Sequence, residues 1–442
     1  MLKYCNVILK IFTNNLLKNH VNSTFVSIFC FILLFILLFT FLFSPIAYAS
    51  SEDTAFVWSN QSQKLETAET SSTALTTTDE TITNNSLNLE SGAACLIEQS
   101  TGLIIYDHNM HEQLRPASVT KIMSLLLIME AVDSGRISLT DKIPCTEDAA
   151  AMGGSQIWLD VRETLTVEEM LKAICVVSAN DCVVALADYL EGSQEAFVKK
   201  MNDKAKELGM NDTCFKNCHG IDEDGHLTSA YDIAIMSREL LVNHPSITNY
   251  TTIWMDSLRD GKSSLVNTNK LVRNYNGCTG LKTGSTSLAL YNLSASATRD
   301  GLSLIAVVLK AATPTIRFGE AQKLLDYGFS NYQVTSFGKK GDVIKELKVN
   351  KGSASFVNAI LESDAEVLTK KGSNDSISTE VHLDETINAP ILEGQKLGEV
   401  TYSINGSVVA TANLIADKAV NKLTFLNISK EVLSNWFNLF RK

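Results

Sequence analysis

Hydrophobic positions follow several different rhythms along this chain. From Phe25 to Phe43 they form an unbroken run, "FVSIFCFILLFILLFTFLF". Residues 50 to about 90 are instead rich in serine, threonine and acids, as in "SSTALTTTDETITNNS", and read as a solvated tether too polar to fold alone. "AACLIEQSTGLIIYDHN" then alternates about Ser100-Thr101-Gly102, which predicts a hairpin. From about 116 to 245 the period is helical. Pro116 suits a first helical turn and Gly135 ends that helix. Thr166 and Glu169 stand at capping-box spacing before "MLKAICVV", and "SQEAFVKKMNDKAKELG" and "TSAYDIAIMSRELL" are further amphipathic helices.

After residue 280 the alternation returns. "LYNLSASATRDGLSLIAVVLKAA" is two apolar runs joined at Asp300-Gly301, a hairpin turn signal. Strands at both ends with helices between predict one sheet packed with a helical cluster. Residues 335–425 read as a separate small β domain, with "LGEVTYSINGSVVATANLIA" turning at Asn405-Gly406. Over 427–442 the period is helical again. Ile428, Val432, Leu433, Trp436, Phe437, Leu439 and Phe440 fall on one half of the wheel. The aromatic content and positive charge of that segment favour a membrane surface over docking on the β domain.

Composition sharpens this picture in three places. A length of 442 residues allows two or three domains and a large core. The formal charge of −11 excludes a nucleic-acid partner, because a phosphate backbone attracts lysine and arginine. Lys3, Lys10 and Lys18 precede the apolar run, and Ala47 and Ala49 bracket Tyr48 in an A-x-A pattern. Residues 1–49 are therefore read as a cleaved secretory signal, with a retained anchor as the alternative; either exports the remainder. Without those three lysines the charge becomes −14. Seven cysteines follow the leader, an odd number at irregular spacing, so they are read as buried free thiols and not as a disulfide framework.

The chemistry lies in three short motifs. Ser118 and Lys121 share one face of a helix inside "RPASVTKIMSL". A neutral lysine there takes the serine proton and makes a nucleophile. Burial under "IMSLLLIM" lowers the lysine pKa to permit this. "VVSANDC" places Ser178 and Asn180 between two apolar helical segments, and "GLKTGST" places Lys282, Thr283 and Gly284 at the start of the β return. Standing alone, each motif reads as a helix cap or a polar turn.

Taken in order, S-x-x-K, S-x-N and K-T-G resemble the serine D-alanyl-D-alanine carboxypeptidases, the low-molecular-mass penicillin-binding proteins of the peptidase S11 family. "CHGIDEDGHLTSAYDIAIMSREL" and "APILEGQKLGEVTY" are similar to further stretches of that family, so the resemblance runs from about residue 90 to the end. It implies an α/β (α+β) β-lactamase/transpeptidase-like domain over 89–332, with an antiparallel sheet and helical cluster, and a small C-terminal all-β domain. Ser118 would attack the carbonyl between two D-alanines, with Lys121 as base and Ser178 as a proton carrier. Asn180 would hold the substrate amide. Lys282 would add positive potential, and Thr283 would bond the terminal carboxylate. Gly284 would let a peptide lie close to the strand. The N–H groups of Ser118 and Ser285 would form the oxyanion hole. The implied partners are peptidoglycan stem peptides, β-lactams as inhibitors and a membrane surface, on the outer side of the cytoplasmic membrane. No cofactor or metal is implied.

The resemblance has one departure and two rivals. Thr279 stands where the family often has aspartate. A β-lactamase uses the same trio, but class A enzymes add a glutamate that "DTCFKNCHG" does not supply. The other rival is a sensor or scaffold that is acylated without turnover. "GCTGLKTG" lacks the glycine that a phosphate loop needs directly before its lysine. Cys214, Cys218, His219 and His226 fit no zinc spacing well and read as a loop with buried thiols. His108 and His111 read as solvated residues of a polar turn.

Overall fold

The computed structural model describes residues 87–373 and 376–424. The leader, nearly all of the tether and the 427–442 segment lie outside them. Among the described residues no helix is long and apolar enough to cross a membrane.

The chain starts with the expected hairpin, β1 (Ala93–Glu98) and β2 (Ile104–His108). Helices follow: α1 (Lys121–Asp133), α2 (Val167–Val177), α3 (Asn180–Glu191), α4 (Gln194–Glu207) and α5 (Ala230–Asn243). Thr166 and Glu169 form the capping box at the start of α2, their side chains and backbone N–H groups bonding reciprocally. Gly135, one residue past the C-cap of α1, has φ +72. A small hairpin, β3 (Met255–Leu258) and β4 (Ser263–Val266), precedes three long strands. These are β5 (Cys278–Thr286), β6 (Leu290–Arg299) and β7 (Leu302–Ala311), and the β6–β7 turn falls on Asp300 and Gly301.

One five-stranded antiparallel sheet results, in the order β2-β1-β7-β6-β5. Cys95, Ile97, Ile305, Val307 and Leu309 face the helical cluster from one side of it. Ala94, Leu96, Leu304, Ala306 and Val308 face the opposite way. That second face is covered by an element the sequence reading did not anticipate, α6 (Pro314–Asn331), which packs Leu324 and Leu325 against it. Its N-terminal signature is plain in retrospect: the Thr313 side chain accepts from the Ile316 N–H, and Pro314 stands in the first turn. The sheet therefore carries helices on both faces.

A smaller all-β region follows. It contains β8 (Tyr332–Gly338), β9 (Val343–Asn350), β10 (Phe356–Leu361), β11 (Ala365–Lys370), β12 (Ile377–Leu383), β13 (Thr386–Asn388), β14 (Lys396–Ile404) and β15 (Ser407–Ala416). Six strands pair in the order β12-β14-β15-β10-β9-β13, and β8 pairs with β11. The β14–β15 turn is the expected Asn405-Gly406, both at positive φ. Leu347, Val357, Val400, Tyr402 and Leu414 form its core.

Strand β5 matters most for the site. It has β6 on one side only. One face of it packs on a 3-10 turn, Ala117–Thr120, which runs directly into α1, and its other edge is paired by no strand among the described residues. An edge strand presents backbone N–H and C=O groups to whatever lies beside it.

Candidate active site

Ser118 does not sit inside an α-helix, as Pro116 had suggested. Pro116 instead caps the 3-10 turn, and Lys121 is the first residue of α1. The difference helps the chemistry. Residues i and i+3 of a 3-10 helix are eclipsed, so Ser118 and Lys121 are stacked directly. Lys121 Nζ lies 3.0 Å from Ser118 Oγ, and donates a 2.6 Å hydrogen bond to the His219 carbonyl. The residue before the serine, Ala117, is held at φ +49, a conformation an alanine seldom adopts.

Lys121 has no exposed surface. Burial holds its amine well below the ordinary lysine pKa, and the neighbouring Lys282 charge lowers it further; Cys218 and Asp181 act weakly the other way. A neutral amine has two N–H bonds and one lone pair. With one N–H on the His219 carbonyl, the lone pair can turn to the Ser118 hydroxyl.

The second motif lies at the break between α2 and α3. Ser178 closes α2 in the left-handed conformation, φ 65 and ψ 34. Its Oγ is buried and has no hydrogen-bond partner, and the same holds for Asn180 Oδ1. The rest of Asn180 is committed: Nδ2 donates to Gly153 O at 2.7 Å and the backbone N–H to Ser155 O at 2.7 Å. Buried polar atoms without partners cost about 1–3 kcal/mol each, so two of them in one place point to a ligand.

The third motif is brought to the first by close backbone packing. A Cβ on Gly284 would stand 2.8 Å from Pro116 O and 2.9 Å from the amide nitrogens of Ser118 and Val119. Only glycine lets β5 pass so near the serine. Thr268 ties the third motif to the second: its N–H donates to Val176 O at 3.0 Å and its hydroxyl meets Thr283 Oγ1 at 2.7 Å. Lys282 is buried, with Nζ donating to Thr283 O at 3.0 Å. Burial lowers its pKa to about 7, opposed by Cys175 and reinforced by Arg317. Ser285 is exposed beyond Gly284.

Several contributors carried no readable signal in sequence. Arg317, on α6, is buried behind β5 and donates to Asn292 O at 3.2 Å and Gly284 O at 3.4 Å. Its Nε has no partner, and burial pulls its pKa down to about 10. Asn292 pins the Ser118 turn from the sheet, donating to Arg115 O at 2.8 Å and Pro116 O at 3.0 Å. The Thr313-Pro314 cap would have revealed the helix that carries Arg317, but not the side chain's reach.

The remaining candidates take structural places. Thr279 Oγ1 donates to Ser296 Oγ at 2.7 Å across the sheet. His226 accepts from the Lys216 N–H on Nδ1 at 3.0 Å, so its Nε2–H donates to Thr120 Oγ1 at 2.8 Å. Burial takes the pKa of His226 to about 4 and of His219 to about 3, so both rings are neutral. Cys218 is buried and Cys214 half-buried, and all seven cysteines of the described residues are free thiols. His111 is not simply solvated; it pairs with Asp212 at 2.8 Å.

A serine hydroxyl bonded to a buried amine, beside an edge strand and two orphaned polar atoms, is the arrangement of a serine hydrolase that works through an acyl intermediate. The chain belongs to the D-alanyl-D-alanine carboxypeptidase family, whose model matches residues 78–313. The model of the penicillin-binding protein 5 C-terminal domain matches residues 332–422. Similar proteins include D-alanyl-D-alanine carboxypeptidase DacF of Bacillus subtilis, 44% identical over 78% of this chain and 90% of its own. Penicillin-binding protein 5 of Haemophilus influenzae superposes with a TM-score of 0.64 at 30% identity, covering 76% of this chain and 98% of that one. Penicillin-binding protein D2 of Listeria monocytogenes, in its cefotaxime-bound form, covers 55% of this chain and 98% of its own, at 32% identity and a TM-score of 0.51.

Proposed function

We propose that this protein removes the terminal D-alanine from peptidoglycan stem pentapeptides through an acyl-enzyme on Ser118, and that β-lactams acylate the same serine. The observation that carries this reading is the fully buried Lys121 amine 3.0 Å from Ser118 Oγ. Ser118 Oγ attacks the penultimate D-alanine carbonyl as its proton passes to Lys121. The C–N bond then breaks, and Ser178 passes that proton to the departing amine of D-alanine. Water, losing a proton to Lys121, attacks the ester and frees the serine and a tetrapeptide.

The substrate lies along the open edge of β5, its amide on Asn180 Oδ1 and its carboxylate on Thr283 within the positive field of Lys282 and Arg317. The amides of Ser118 and Ser285 take the oxyanion. Work on peptidoglycan places the enzyme outside the cytoplasmic membrane. The leader serves export, and the amphipathic segment 427–442 holds the protein to the membrane surface.

Incubation with a pentapeptide ending in D-Ala-D-Ala is expected to release D-alanine, and a labelled penicillin is expected to mark the wild type but not Ser118→Ala. Hydrolysis of the β-lactam alone would favour a β-lactamase; a lasting adduct with no peptide turnover would favour a sensor.

The two lysines also set a pH profile. Lys121 works deprotonated, so kcat/KM rises with pH through its lowered pKa. Lys282 works protonated, so kcat/KM falls as pH rises past about 7 in the free enzyme. A bell is expected from initial rates of D-alanine release. A rise continuing without a fall to pH 10 would remove Lys282's charge from the mechanism.

A further inference from the structure

Residues 151–163 form neither helix nor strand, yet their backbone holds the Asn180 side chain. Gly153 O takes the Asn180 side-chain amide and Ser155 O its backbone N–H, both at 2.7 Å. Between those two carbonyls Gly154 has φ +76, and a Cβ there would stand 2.9 Å from Asn180 Nδ2. The loop thus boxes in one end of the carboxamide. A carboxamide has a donor end and an acceptor end of nearly the same shape. With Nδ2 committed to Gly153 O, Oδ1 points the other way, and it is the buried atom without a partner. Which end faces a ligand is decided by where the Gly153 carbonyl stands.

An irregular segment has no hydrogen-bond ladder of its own to fix that carbonyl, so its backbone groups must find partners elsewhere. They do so at two points. Asp181, fully buried in the first turn of α3, accepts the N–H groups of Ile157 and Leu159 on Oδ2, at 3.0 and 3.1 Å. Arg259, in the β3–β4 turn, donates to Ile157 O at 3.0 Å and to Trp158 O at 3.4 Å. Glu163 holds the guanidinium as a fork, taking Nε at 2.5 Å and Nη2 at 2.8 Å. Asp181 follows Asn180 directly in the chain and ties the loop back to the same helix end. Arg259 supplies the tie from a different part of the fold.

We infer that Arg259, held by Glu163, is a positioning residue for Asn180: it fixes the loop so that the Asn180 acceptor oxygen, and not its amide nitrogen, is presented to the substrate. This rests on the carboxypeptidase reading above, in which Oδ1 accepts the substrate amide N–H. Arg259 acts on the reaction only through the loop and Asn180.

The test is a double-mutant cycle of Arg259→Met and Asn180→Ala, read by kcat and KM for D-alanine release from a pentapeptide ending in D-Ala-D-Ala. A thermal melt checks that each variant is folded at the assay temperature. Methionine keeps an apolar stem in place of the arginine and removes the fork. Arg259→Met is expected to lower kcat/KM about tenfold when Asn180 is present, and less than about twofold when position 180 is alanine. Glu163→Gln, which loosens the guanidinium without removing it, is expected to show the same dependence on Asn180 with a smaller loss, and it decides the question should Arg259→Met fail to fold. An equal loss in both backgrounds makes Arg259 a general support of the fold, and no loss in either makes the loop independent of it. Either result overturns the inference and leaves the carboxypeptidase intact. A wild type that releases no D-alanine overturns both.

Discussion

Lys121→Met is expected to slow acylation of Ser118 by roughly a thousandfold, the size of a lost general base, while the protein stays folded. Methionine fills nearly the same buried volume but has no lone pair able to take the serine proton. The stability effect has the opposite sign. Lys121 is depressed in the folded state, so below the ordinary lysine pKa the unfolded chain holds a proton that the folded chain does not. That difference opposes folding at neutral pH and fades as pH rises toward the unfolded value. Methionine abolishes it. It also leaves the buried His219 carbonyl without that bond, at a cost of about 1–3 kcal/mol. The melting temperature at pH 7 is therefore expected to stay at the wild-type value or rise. Stopped-flow acylation with a chromogenic β-lactam and a thermal melt check both. Wild-type acylation by the methionine variant would remove Lys121 as the base.

Gly220→Ala is expected to damage stability and activity together. Gly220 has φ +88, and a Cβ there would lie 1.9 Å from Ala117 O, a backbone atom that cannot step aside. Left-handed strain adds about 1 kcal/mol and overpacking about 1–3, so a loss of about 2–4 kcal/mol is expected. For a domain of this size that lowers the melting temperature by roughly 5–15 °C. The two chain segments it forces apart are the Ser118 turn and the loop whose His219 carbonyl holds Lys121. A displacement near 1 Å there is expected to cost about a hundredfold in acylation. A variant as stable and as fast as the wild type would mean that this close approach is not what positions the serine. The pairing of outcomes separates the two sites: the Lys121 variant loses rate alone, and the Gly220 variant loses rate and stability.

What could be read directly from the chain was whatever depends on neighbours in sequence. Turn residues at Gly102, Asp300-Gly301 and Asn405-Gly406 announced their hairpins, because positive φ is a local demand. The Thr166–Glu169 cap and the helical periods of α2 to α5 were local as well. The three motifs and their order were visible for the same reason, each being a run of a few residues. Tertiary structure alone decided what those residues are worth. Lys121 is an ordinary ammonium in sequence; its pKa falls because α1, β5 and the Cys218–Gly220 segment close around it and remove its water. Asn180 is left with an unpaired Oδ1 only after the Gly153–Leu159 loop has taken its amide and backbone N–H groups, and the Ser178 hydroxyl is left without a partner where α2 breaks into α3. Arg317 reaches β5 from a helix some thirty residues away. Desolvation, close backbone approach and buried charge are sums over neighbours in space, and the order of residues along the chain does not contain those sums.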